Sequence, residues 1–134
     1  MLYRINLETT AKVEFQDITQ NIKEILSHNR VEHGTCHVFV PHTTAGITIN
    51  EHADPSVVKD ITDHLDIMIP QHRKYSHSEG NSPAHIKATI MGNSQVLLVE
   101  NGKLVLGTWQ GVFFCEFDGP RNRSVIIKTI PDIM

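Results

Sequence analysis

The sequence has no long apolar run. Its hydrophobic segments stop after a few residues, far short of the ~20 that a bilayer-crossing helix needs. The first residues, MLYRINLETTAKVEF, lack the apolar core of a secretory signal. No membrane association is expected, and the expected location is cytoplasmic. Cysteine is scarce: Cys36 and Cys115 are the only two, they form no Cys-x-x-Cys pair, and each sits in an apolar, strand-like run. That pattern reads as buried free thiols, not as a disulfide framework. There is no excess of positive charge, with 12 Lys and Arg against 15 Asp and Glu and a net charge of -3. Without a cationic field, nucleic acid is a disfavoured partner. Glycine-rich phosphate loops of the Walker or dinucleotide type are absent, as are His-Glu-x-x-His and cysteine-rich zinc spacings. No linker, repeat or low-complexity tract divides the chain. Its 134 residues, 40% hydrophobic and 20% charged, fit one globular domain spanning residues 1–134.

Histidine is what the chain has in plenty, with nine. The pattern around these imidazoles predicts the following elements. Residues 2–8 and 12–15 read as strands about a Thr-Thr turn. Ile18, Ile22, Ile25 and Leu26 fall on one face of a helix running from Asp17 to about His28, with Asp17 as its cap and Gln20 in the capping-box position. Cys36, Val38 and Val40 alternate with Thr35, His37 and Phe39 in a strand that Pro41 stops. Ile47–Glu51 is a further strand. Asp54-Pro55 opens a second helix carrying Val58, Ile61, Leu65 and Met68, which Pro70 ends. Residues 70–83 form a long polar connection of the kind that is a lid, a binding loop or disordered. Thereafter strands are expected: Ala84–Met91 by alternation, Gln95–Glu100, Leu104–Leu106, Val112–Asp118 and Ser124–Ile130. Turns fall at Gly92-Asn93, Asn101-Gly102 and Gly119-Pro120. The sum is an α+β fold, mostly antiparallel sheets in a sandwich-like arrangement with two α-helices. Val96–Val99 and Val112–Phe117 are apolar on both faces and need cover from a second sheet, a helix or another subunit.

Four constellations could carry chemistry. His42-Thr43-Thr44-Ala45-Gly46 joins two strands and offers an imidazole, two hydroxyls and free backbone N–H groups, suited to a metal or an anion; a turn capped by its own threonines is the plainer alternative. Glu51 ends an apolar strand face just before a helix, poised as a general acid or base or else emerging into solvent. The loop with His77, Glu79, Asn81 and Ser82 runs into His85 and Lys87, which a strand would place on one polar face. An imidazole and an ammonium there suit an anionic ligand, or an ordinary solvent-facing strand. Gly107-Thr108-Trp109-Gln110-Gly111 frames the only tryptophan, as a ligand contact or a core anchor.

Taken together, HTTAGITINE with the following ADP, PAHIKA, NGKLVLGTWQGVFFCEFDGPRNR and the terminal strand resemble the YjbQ family, over nearly the whole chain. One departure is His52, where the family pattern has asparagine. The resemblance implies a compact α+β fold, assembly as a homotrimer with pockets near subunit contacts, and a polar cluster mapping to His42, Glu51, His77, His85, Thr108 and Gln110. It further implies an activity of the secondary thiamine-phosphate synthase type, condensing an aminopyrimidine diphosphate with a thiazole phosphate. On that footing His42, His77 and His85 are expected to hold a divalent metal, zinc first among the candidates. Glu51, His85 and Lys87 are expected to be catalytic. Thr43, Thr44, Asn81, Ser82, Thr108, Gln110 and Gly111 are expected to contact a phosphorylated small molecule. A metal-dependent phosphate-ester hydrolase and a non-enzymatic ligand-binding homotrimer are the competing readings.

Overall fold

The computed structural model describes residues 2–133. Its elements in chain order are β1 (Leu2–Glu8), β2 (Glu14–Asp17), α1 (Thr19–Asn29), β3 (Gly34–Phe39), β4 (Ala45–Glu51), α2 (Pro55–Met68), α3 (Ser82–Met91), β5 (Ser94–Glu100), β6 (Lys103–Leu104), β7 (Gln110–Glu116) and β8 (Asn122–Pro131). Two antiparallel sheets result, one in the order β1-β8-β3-β5-β6 and the other β2-β7-β4. The fold is α+β.

The layers follow from which residues each strand turns inward. The main core lies between the sheets. Ile5, Cys36, Val38, Leu97, Val125 and Ile127 from the larger sheet meet Ile47, Val112 and Phe114 from the smaller one, and α1 adds Ile18, Ile22 and Leu26. The smaller sheet is also covered on its other side. Phe113, Cys115 and Phe117 pack there against Leu65 and Ile69 at the end of α2 and against Ala84 and Ala88 of α3. Strand β7 is therefore buried on both faces, which accounts for its unbroken apolar run. Strand β5 differs: Leu97 and Val99 face the core, whereas Val96 and Leu98 are exposed on the outer face of the larger sheet.

Local chemistry sets most boundaries as expected. Asp54 accepts a hydrogen bond from the Ser56 N–H at 2.9 Å, with Pro55 at the first helical position of α2. Asn101 and Gly102 both have positive φ and turn β5 into β6, as this dipeptide does in tight hairpins. At α1 the helix starts one residue later than expected. Ile18 is the flanking residue, and Asp17 instead receives the Thr19 N–H and hydroxyl.

The main correction is at residues 84–91, expected as a strand and found in helix α3. The alternation of Ala84, Ile86, Ala88 and Ile90 is coincidental. The buried residues are Pro83, Ala84, Lys87 and Ala88, a helical face, while Ile86 and Ile90 are exposed. Proline in the first turn and glycine at residue 92 were the boundary signals. The described residues thus form three helices, and Gly92-Asn93 leads from α3 into β5 instead of joining two strands.

Candidate functional site

Strand β3 belongs to one sheet and β4 to the other, so residues 40–44 cross between them at the end of the sandwich. A buried ion pair braces this crossing. Arg123 of β8 donates through Nε to Glu116 Oε1 at 2.9 Å and Oε2 at 3.1 Å, and through Nη2 to the Thr44 hydroxyl at 2.8 Å. Glu116 also accepts from the Thr9 hydroxyl at 2.7 Å and from the N–H groups of Phe117 and Asp118, each at 3.1 Å. Burial alone would raise the Glu116 carboxyl; the Arg123 guanidinium, the Thr9 hydroxyl and the Asp118 N–H more than offset it and hold the group below its ordinary range.

His42 takes over where the β3 ladder ends. Phe39 pairs with Ile126, the last rung, and the Ser124 N–H beyond it donates to His42 Nε2 at 3.0 Å. The same nitrogen lies 3.2 Å from the Ser124 carbonyl oxygen, so the Ser124 backbone fixes the ring. Burial and the nearby Arg123 charge lower the His42 pKa, which keeps the ring neutral at neutral pH.

Helix α3 closes the other side. Gly46 makes this possible: a Cβ there would stand 2.7 Å from the Gly92 carbonyl oxygen, and the neighbouring Ile47 N–H donates to that oxygen at 3.0 Å. The approach places His85 opposite His42 and Thr43 across a cavity of about 550 Å³, with Thr89 and Asn93 on its wall. A second cavity of about 500 Å³ adjoins it through the shared residues Thr43 and His85, and is lined further by His77, Asn81, Asp118 and Arg121. Arg121 is held by Asp118, Nη2 to Oδ2 at 3.0 Å and Nε to the carbonyl at 2.9 Å, and Asn81 Nδ2 donates to the same Oδ2 at 3.0 Å. The rings of His77 and His85 meet edge to face with centroids 5.4 Å apart. The arrangement offers a guanidinium, two hydrogen-bonding imidazoles and a hydroxyl facing one polar space, which suits an anionic group on a small molecule.

The expected site residues therefore divide. His42, Thr43, His77, Asn81 and His85 come together, and Ser82 borders the hollow beside His77 and His85. Thr44 is present but buried, its hydroxyl taken by Arg123. Lys87 is corrected: on a helix it does not share the His85 face but is buried on another side of α3, against Asp66. Glu51, Thr108, Gln110 and Gly111 lie at the far end of β4 and β7, about 20 Å along the strand from Ala45 at ~3.4 Å per residue. There Glu51 accepts from the Asp54 N–H at 3.2 Å, Gln110 Oε1 accepts from the Gly107 N–H at 2.8 Å, and Thr108 and Trp109 are exposed. At Gly111 the His52 ring approaches the backbone closely, since a Cβ there would stand 2.4 Å from His52 Nδ1. His52 itself bonds Asp17 at 2.7 Å.

The metal expectation does not fit one chain. Among the described residues no group of three His, Cys, Asp or Glu is disposed to hold an ion, and His42 Nε2 is engaged with the Ser124 backbone. Sequence reasoning missed Glu116, Asp118, Arg121 and Arg123. A carboxylate interrupting the apolar run Val112–Phe117 and two arginines just beyond it were the available signal.

A family model described as UPF0047 protein YjbQ-like matches residues 3–132. The chain is 49% identical over 132 residues to a UPF0047 protein of Methanocaldococcus jannaschii, covering 98% of this chain and 96% of that one. It is 48% identical over 129 residues to the UPF0047 protein YugU of Bacillus subtilis, covering 96% and 98%. Among solved structures, an uncharacterized conserved protein of the YjbQ/UPF0047 family from Clostridium acetobutylicum superposes with a TM-score of 0.94 at 53% identity, covering 96% of this chain and 99% of that one. A YbjQ-like protein of unknown function from Sulfolobus solfataricus gives 0.94 at 33% identity, covering 98% and 97%. These descriptions place relatives together without naming a reaction. No helix among the described residues is long and apolar enough to cross a membrane.

Proposed function

The chain belongs to the YjbQ-like UPF0047 family, and from that premise we propose that it is an enzyme acting on a phosphorylated small molecule, of the secondary thiamine-phosphate synthase kind. The observation that carries this reading is the convergence of His42, Thr43, His77, His85 and Arg121 on two adjoining polar cavities.

The chemistry asked of such a site is modest. The thiazole nitrogen forms a bond to the methylene carbon of the aminopyrimidine diphosphate. The bond from that carbon to the diphosphate oxygen breaks, and the electron pair leaves with the diphosphate. No proton moves from carbon, so the protein's work is positioning and stabilising the charge that grows on the leaving group. In this reading Arg121 takes the diphosphate oxygens, His85 and Thr43 donate hydrogen bonds to them, and the His42 ring orients the same group. Asp118 is a positioning residue that fixes the Arg121 fork.

The reading includes self-association as a homotrimer. It is supported by the outer face of the larger sheet, where Phe39, Val96, Leu98 and Ile130 of β3, β5 and β8 are exposed, interleaved with Thr35, His37 and Lys128. A metal-dependent hydrolase is the weaker alternative, because it requires three ligands that the imidazoles do not supply within one chain.

The test incubates the purified chain with an aminopyrimidine diphosphate and a thiazole phosphate and follows product by mass spectrometry, with and without chelator. Product is expected from the wild type. His85→Ala and Arg121→Gln are expected to lose on the order of 10² in rate while retaining their circular dichroism. No product from the folded wild type, or undiminished rates in both variants, overturns the assignment. Sedimentation of a Val96→Lys, Leu98→Lys double variant tests the trimer, which it is expected to dissociate.

A further inference from the structure

Lys87 does not belong to the site just described, and its surroundings form another. The side chain is buried, with the residue 5% exposed. Its ammonium meets the Asp66 carboxylate, the one hydrogen-bond acceptor recorded for it among the described residues. Asp66 itself is exposed. An ammonium has three N–H donors, and a buried one leaves little room for water to serve the rest. Burying a lysine so incompletely partnered is costly in a fold that could have placed a methionine there.

The ammonium borders a cavity of about 480 Å³ between the end of α2, the start of α3 and the β7 end of the smaller sheet. Its apolar wall is made by Val13, Ile69, Pro83, Ala84 and Phe117, and Lys12 and His72 stand at its exposed side. Ala84 and Lys87 lie one turn apart on α3 and face this cavity, whereas His85 and Thr89 face the other. The volume lies in the range of small-molecule sites, and the combination of an apolar wall with a few convergent charges is their usual composition. Two ammoniums against one carboxylate leave a surplus of one positive charge. The Asp66 carboxylate already on Lys87 would repel a doubly charged anion.

We propose that this cavity is a second ligand site, specific for a monocarboxylate carried on a compact apolar body, such as an aromatic or branched acid. The carboxylate takes the free N–H groups of Lys87 together with the Lys12 ammonium, and the body lies against Phe117, Ile69 and Pro83. The inference is independent of the activity proposed above, because the two sites share no lining residue.

Benzoate serves as the probe, titrated into the isotopically labelled full chain at pH 7 and followed through backbone amide resonances. Saturable shifts are expected at Val13, Ala84, Lys87 and Phe117, with a dissociation constant on the order of 1 mM. Neutral benzamide and inorganic phosphate are expected to leave those amides unmoved. Lys87→Met is expected to weaken benzoate at least tenfold, and Lys12→Gln, a surface change that spares the fold, several-fold. Asp66→Asn, which removes the competing carboxylate, is expected to tighten it. Absence of saturable shifts, equal response to benzamide or phosphate, or shifts confined to the His42 and His85 side overturns the proposal.

Discussion

The Arg123 guanidinium closes on the Glu116 carboxylate at the end of the sandwich, joining β8 of one sheet to β7 of the other across the top of the apolar core. The pair is buried and further bonded: Thr9 and two backbone N–H groups donate to the carboxylate, and Thr44 accepts from the guanidinium. It sets the crossing on which His42 and Thr43 are carried, so the stability of the fold and the shape of the site share one support.

Removing one partner leaves the other charge buried and unpaired. Arg123→Met is expected to destabilise the chain by about 3–5 kcal/mol. Replacing both residues with apolar ones of similar volume is expected to cost much less. Urea denaturation of the two variants measures the difference.

The depressed Glu116 carboxyl also fixes an acid limit. A carboxyl held below its ordinary value of 4.5 binds fewer protons folded than unfolded. Its contribution is full above that value and is lost as pH falls through the lower, folded value. Chemical denaturation across pH 3–6 should show stability falling toward the acid end. Glu116→Gln should flatten this part of the profile while lowering stability throughout.

His42 acts in the same sense at a higher pH. Its folded pKa lies below the ordinary 6.5 because burial and Arg123 disfavour the imidazolium. The unfolded chain therefore takes up the proton first, and stability declines as pH drops below 6.5 toward the folded value. His42→Gln, whose side-chain carbonyl can still accept the Ser124 N–H, should remove this component. The readout is the difference between the two stability profiles over pH 5–7.

Gly46→Ala should disturb both fold and site. The added methyl would press on the Gly92 carbonyl and on Met91 Cβ at 3.0 Å, forcing α3 away from β4. A loss of about 1–3 kcal/mol is expected from such overpacking. Thermal unfolding measures it, and the amide resonances of His85 and Thr89 should report the displaced helix.

Both thiols should resist modification. Burial pushes Cys36 up to about 11 and raises Cys115 further, which disfavours the reactive thiolate. The native chain should leave an aromatic disulfide reagent essentially unreacted at pH 8, and react with both cysteines once denatured.

Much of this was legible in the residues because local chemistry decided it. Asp54-Pro55 and Asn101-Gly102 each impose a conformation on their own backbone, so their elements form as the sequence predicts. The two-sided run in β7 announced two covered faces, and both exist. The run in β5 gave the same signal, yet its outer face is open within the chain. Helix α3 was misread because four small and branched residues happened to alternate, and the decisive information lay in Pro83 and Gly92 at its ends. Lys87 followed that error, since changing the period from two to 3.6 rotates it away from His85. His85 shares one cavity with His42 and another with His77, so the expected convergence of the three rings is met only pairwise, and the contributions of Arg121 and Arg123 could not be anticipated. Those depend on β8 lying beside β3, a pairing between residues about ninety positions apart, which no local pattern encodes.

That same pairing dictates an order of assembly. Strand β8 is last in the chain and yet lies between β1 and β3, so the first strand has no neighbour until the final one arrives. A nascent chain emerging from the ribosome must hold β1 and the open side of β3 in waiting until Asn122–Pro131 has followed. Closure of the larger sheet is consequently a late event built on remote contacts, which slows folding. A chain halted before Asn122 would present two hungry strand edges to its neighbours.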